Sequence, residues 1–162
     1  MRFSLIDQIT HLDAGKSLTA IKNLSLAEEY LADHFPGFPV MPGVLMIESL
    51  VQSSAWLMRH TEEFAYSTVL LKQARAVKFN NFVAPGQTLI VNVTIQSWKE
   101  NTCVLQGAGT VGGAPTVSAK LTLERFNLAE KNPALAASDA YEIRKLRELF
   151  QILWTPEKGR VT

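Results

Sequence analysis

Two side chains in this sequence have the types and surroundings of acid–base chemistry. His34 stands in the run HFPGFPVMPG, and Glu48 is the one charged side chain between Asp33 and Arg59, inside VMPGVLMIESLVQSSAWLM. An ionised carboxylate in an apolar helix is costly unless a partner pairs with it or a reaction uses it. Imidazole titrates nearest neutrality of all side chains and takes a proton in its neutral form. Pro36, Pro39 and Pro42 stiffen the loop between the two, since each fixes φ. Gly43 falls at the expected start of a helix, where backbone N–H groups lack intrahelical acceptors and the dipole is positive. That position suits a carbonyl oxygen or a developing oxyanion, and glycine has no Cβ to block its approach. Gln52 lies at i+4 from Glu48, placed to orient the carboxyl. A base, an acid and an oxyanion donor together suit removal of a proton α to a carbonyl with departure of a β-hydroxyl, a dehydration.

Blander readings exist for each residue. His34 alone could be a solvated loop histidine, Glu48 could pair with Arg75 or Lys78, and the prolines could only shape a turn. Their coincidence in one short stretch favours chemistry. His11 and His60 lack such company and read as structural, and Cys103 reads as a small core residue. No His/Cys/Asp cluster has ligand spacing, so no metal is expected.

The elements that must position these groups follow from periodicity. Leu18–Leu24 reads as a first strand entered through the turn Asp13-Ala14-Gly15-Lys16, and Ala27–Ala32 as a short helical turn. From Val44 to about His60 the chain is apolar on nearly every face, which predicts a helix surrounded by protein, with Pro42 suited to its first turn. The period then becomes two. Ser67–Leu71 and Arg75–Phe79 are strand candidates, and Thr88–Trp98 alternates through Leu89, Val91, Val93 and Ile95. Lys99-Glu100-Asn101 predicts a hairpin turn into Thr102–Val111, where Gly107 and Gly109 mark a bulge or bend; Gly112-Gly113 predicts a turn into a last strand through Leu123. One long helix with a largely antiparallel meander is an α+β pattern. Residues 127–137 read as a linker. Ser138 is placed to cap an amphipathic helix whose Ala140, Ile143, Leu146, Phe150 and Leu153 share a face, ended by Thr155-Pro156.

The 162 residues fit one core, with 47% hydrophobic residues excluding a disordered chain. A formal charge of +1 argues against nucleic acid as the main partner. A single cysteine excludes an internal disulfide and fits a reducing compartment. The first fifteen residues lack the apolar core of a signal peptide, and Val44–Met58 is too short to span a membrane. The expectation is a cytoplasmic protein with no membrane span.

The stretch HFPGFPVMPGVLMIESLVQ, residues 34 to 52, resembles the signature of the β-hydroxyacyl-(acyl carrier protein) dehydratases of fatty-acid synthesis. Leu5-Ile6-Asp7 with Ala20-Ile21-Lys22-Asn23 resembles that family's opening, and Val77-Lys78-Phe79 with Pro85-Gly86-Gln87-Thr88-Leu89 its later strand and turn. The resemblance implies a hot-dog fold over residues 1–126, an antiparallel sheet wrapped around a long central helix. Residues 127–162 would add a linker and a C-terminal amphipathic helix packed on the body or on a partner protomer. By resemblance His34 and Glu48 are the catalytic residues, Gly43 N–H polarises the thioester carbonyl and Gln52 positions the carboxyl group. Glutamate at position 48 resembles the branch that dehydrates without isomerising. The family implies no metal or cofactor, an acyl chain delivered on the phosphopantetheine of acyl carrier protein, and homodimers or trimers of dimers. In these dimers each site joins one chain's histidine to the other's acid. Where relatives carry an aromatic gate this chain has Leu70 and Leu71, with Tyr66 upstream, so no gating residue is assigned. The expected reaction converts (3R)-hydroxyacyl thioesters to trans-2-enoyl thioesters. A hot-dog acyl thioesterase and a non-catalytic acyl-thioester binding protein are the alternatives.

Overall fold

A computed structural model describes residues 3–156; the last six residues of the expected tail segment lie outside the described residues. The helix expected from the all-round apolar run is α1, Gly43–Thr61. Two of its buried serines are satisfied within the helix, Ser49 and Ser53 donating back to the carbonyls of Leu45 and Ser49 at 3.0 and 2.8 Å. Arg59 and His60 sit in its last turn, where positive charge is favourable.

A six-stranded antiparallel sheet wraps this helix. Its strands are β1 Gln8–Asp13, β2 Ser17–Asn23, β3 Thr68–Phe79, β4 Thr88–Lys99, β5 Thr102–Val111 and β6 Ala114–Phe126, in the spatial order β1-β2-β4-β5-β6-β3. The helix-facing residues alternate as the period of two requires: Leu89, Val91 and Val93 on β4 and Leu121 and Leu123 on β6 are at most 1% exposed. At Gly107 the sheet comes close to the helix. A Cβ there would stand 3.2 Å from Leu50 Cδ1, so glycine lets α1 settle on β5. This is the arrangement a hot-dog fold implies.

Three expectations about the strands and the linker change. The first strand is β1 and not the segment beginning at Leu18, which is the second. The two candidates on either side of Gln73 are one strand, β3, interrupted by register shifts at Leu71/Gln73 and Arg75/Lys78, with Ala76 at φ 49°. Finally, residues 127–137 are not bare linker. They hold two 3₁₀ turns, Leu128–Glu130 and Pro133–Leu135, the first closed by a capping box between Asn127 and Glu130.

The C-terminal helix α2 spans Ala136–Leu153 and starts from Leu135, so Ser138 lies inside its first turn and does not cap it. Ala140 is exposed, and the buried position beside it is Asp139. Asp139 accepts from Ser67 Oγ and from the backbone N–H groups of Leu128 (3.0 Å) and Ala129 (2.8 Å), tying three segments together. Phe150 packs among Trp56, His60 and Phe64 with ring centroids 5.2–5.9 Å apart, and Leu146 and Leu153 join the same core. Burying each such side chain contributes about 1.5–3 kcal/mol before entropy, so α2 is held on the second half of α1. No described helix is long and apolar enough to cross a membrane.

Candidate active site

His34 sits at the start of a loop folded tightly on itself. Phe35 and Phe38 exchange backbone hydrogen bonds (3.1 and 2.9 Å), and Val40 N–H donates to His34 O at 2.9 Å. Gly37 at φ 80° makes the reversal, a conformation that side chains disfavour. The His34–Phe35 peptide is cis, and the two rings lie 4.0 Å apart. Met41 N–H donates to Val83 O at 2.8 Å, fixing the loop to the segment after β3.

The loop delivers the chain to Pro42, whose side chain offers no cap, and then to Gly43 in the first turn of α1. No acidic side chain occupies that turn, so the positive helix end is not neutralised locally. A Cβ on Gly43 would lie 3.0 Å from Phe79 Cε1, so the absent side chain lets the end of β3 lean on the helix start. His34, Gly43, Phe79, Asn80, Asn81 and Phe82 line one cleft of about 400 Å³. Asn80 and Asn81 were not singled out from sequence; the one signal near them is the Val77-Lys78-Phe79 segment.

Glu48 faces elsewhere. It lines a second cleft of about 330 Å³ on the flank of α1, together with Gln52, Trp56, Arg59 and residues of α2. Gln52 Nε2 donates to Glu48 Oε1 at 3.0 Å and to Phe3 O at 2.9 Å, while Gln52 Oε1 accepts from Leu5 N–H at 2.9 Å. The i+4 amide thus clamps the carboxyl and ties it to the N-terminal segment. The alternative pairing of Glu48 with Arg75 or Lys78 is not among the ion pairs of the described residues, and both basic residues lie on exposed β3.

Arg59, three turns along α1, went unnoticed in the sequence because it reads as a helix-end cation. Burial lowers its guanidinium to about 10, with the nearby Glu142 carboxylate acting in the opposite direction, so it remains cationic at neutral pH. It lies over Trp56 at 5.3 Å. His60 stacks on Phe150, and Cys103 is fully buried, its thiol pushed up to about 12 chiefly by burial. Among the described residues no group of three or more His, Cys, Asp or Glu is placed to hold a metal.

One chain therefore brings His34 together with Gly43, and Glu48 together with Gln52, in two separate clefts. Among the described residues the long edge strand β3 pairs with β6 alone, and it is exposed over nearly its whole length, including Leu70, Leu71, Val77 and Phe79. An exposed, apolar edge of that length is a template for pairing with another chain.

Residues 1–120 match the family model described as the FabA-like domain. Among curated proteins, the 3-hydroxyacyl-[acyl-carrier-protein] dehydratase FabZ of Pediococcus pentosaceus is 41% identical over 117 residues, covering 72% of this chain and 78% of that protein. The FabZ of Oenococcus oeni is 38% identical over 117 residues, covering 72% and 84%. Among solved structures, the dehydratase heterocomplex ApeI:P from Xenorhabdus doucetiae superposes with a TM-score of 0.66 at 19% identity, over 82% of this chain and 90% of that one. A hypothetical thioesterase with coenzyme A from Streptococcus pneumoniae follows at 0.57 and 11%, over 74% and 85%.

Proposed function

The chain belongs to the FabA-like family, and from that premise we propose that it dehydrates (3R)-hydroxyacyl thioesters on acyl carrier protein to trans-2-enoyl thioesters. The observation that carries this reading is the division of an acid–base pair between two clefts of one chain. A second copy, paired along β3, completes each site with the residue the first lacks. A C₂ pairing does so twice, because each chain offers the same patch to the other.

In this account His34 removes a proton from C2 of the substrate. The Gly43 N–H, at the positive end of α1, donates to the thioester oxygen as it takes on enolate charge. Glu48 of the other chain protonates the C3 hydroxyl, which leaves as water, and the C2–C3 double bond forms. Gln52 holds the acid in place through the 3.0 Å contact to Glu48. The departing water carries the proton from Glu48, and the proton on His34 returns to Glu48 through solvent before the next turnover. A cytoplasmic location goes with this substrate class.

The test is incubation with a (3R)-hydroxyacyl carrier protein, followed by mass spectrometry. Loss of water from the carrier-bound chain is the expected result. Release of free acid would instead identify a thioesterase, and an unchanged thioester a binding protein.

A further inference from the structure

The cleft that holds Glu48 continues past the carboxyl. It runs along α1 by Val51 and Ala55 to Trp56 and Arg59, and Leu146 and Leu149 of α2 wall it on the outer side. Near Glu48 it is lined by a carboxyl and amide; further on the lining is apolar until the Arg59 guanidinium and the Glu142 carboxylate of α2, whose charge favours the cationic form of Arg59. Arg59 Nε is buried and has no acceptor among the described residues, which marks the far end as a place where a charged group already lacks part of its solvation.

We propose that this cleft receives the substrate's acyl chain and that Arg59, Trp56, Leu146 and Leu149 set its maximum length. The inference rests on the reading of Glu48 as the dehydrating acid. An acyl terminus lying along Val51 and Ala55 exchanges water for apolar contact. One that reaches Arg59 must press on a guanidinium and strip what hydration it keeps, which is unfavourable. To pass further it must displace α2, whose Phe150 is packed among three aromatic rings.

The helix supplies a scale. Glu48 and Arg59 are separated by about 16 Å along α1 at ~1.5 Å per residue. Allowing about 4 Å for van der Waals contact at the wall leaves about 12 Å. A fully extended chain advances roughly 1.2 Å per bond, as the polypeptide backbone does, so about ten bonds fit beyond C3. The expected limit is then roughly twelve to fourteen carbons, set by the position of Arg59 on the helix.

A series of (3R)-hydroxyacyl carrier proteins from four to eighteen carbons tests this in the full-length protein. Wild-type kcat/KM should hold to about the limit and fall by about tenfold or more at sixteen carbons, the scale on which a pocket discriminates one or two methylenes. Arg59→Ala and Leu149→Ala should each move the break to longer chains, and Leu149→Trp should move it to shorter ones. A purely structural role for α2 would depress all chain lengths alike and leave the break in place, which would overturn the proposal. So would a flat wild-type profile through eighteen carbons. Absence of dehydration at every length would instead overturn the reading of Glu48, and the length limit with it.

Discussion

In the cleft at the head of α1, His34 stands on a proline-bounded loop beside aromatic rings left largely in water: Phe35, Phe79 and Phe82 are 50%, 52% and 63% exposed. In the cleft on the flank of α1, Glu48 is clamped by Gln52, which is itself tied to Phe3 and Leu5, and α2 covers the far end. The second cleft is braced from within the chain, whereas the first presents apolar surface of the kind that marks an interaction site. Changes in the first should therefore act on chemistry and assembly with little cost to the monomer fold. Changes in the second should act on chemistry and stability together.

The largest expected effect is common to both. His34→Ala and Glu48→Gln should each lose about 10²- to 10⁴-fold in kcat, the range for a positioned acid–base group, with unchanged circular dichroism. Stopped-flow or mass-spectrometric turnover of a hydroxyacyl carrier protein reads it, and near-normal turnover in either variant would remove that residue from the mechanism.

Gln52→Leu should separate the two clefts. It leaves Leu5 N–H and Phe3 O without their partner, at a cost of about 1–3 kcal/mol for an unsatisfied buried donor, and it also frees the Glu48 carboxyl. Both the urea midpoint and kcat should fall, while His34→Ala moves kcat alone. A Gln52→Leu protein of wild-type stability would erase the contrast.

The smallest effect concerns pH. The Ser67 hydroxyl, with help from the Ala129 and Leu128 N–H groups, holds the Asp139 carboxyl below the usual carboxylate range. A carboxyl lowered on folding contributes stability that is full above its unfolded value of roughly 3.9 and is lost as pH falls through its folded value. Wild type should melt higher than Asp139→Asn at neutral pH, and the gap should close as pH drops below about 4. A gap independent of pH would show that the Asp139 charge does not help hold α2 down.

How far these features could be read in advance depends on whether their cause is local. The all-round apolar run fixed α1 almost to its ends because burial on every face leaves a pattern no exposed helix has. The alternation of Leu89, Val91 and Val93 did the same for β4. The continuity of β3 was hidden because two register shifts break its period. β1 was hidden because Thr10, His11 and Asp13 stand in a short edge strand with its own bulge at Ile9/His11. At the site, the types and local order of His34, Gly43, Glu48 and Gln52 were legible, including the i+4 contact between Glu48 and Gln52. The separation of His34 and Glu48 was implied by the family resemblance and not by their own spacing, since it depends on where β3 and α2 pass. Asp139 binding Ser67 joins residues far apart in the chain, and nothing in either neighbourhood announces the other.

Subunit complementation tests the central claim most directly. Inactive His34→Ala and inactive Glu48→Gln proteins are mixed in equal amounts, exchanged under mild denaturation and assayed on a hydroxyacyl carrier protein. If each site joins His34 of one chain to Glu48 of the other, half the dimers formed at random are mixed. Each mixed dimer holds one intact and one doubly defective site, so activity should return to about a quarter of wild type per chain. Verified exchange with no return of activity would contradict the account and place both residues of each site in a single chain.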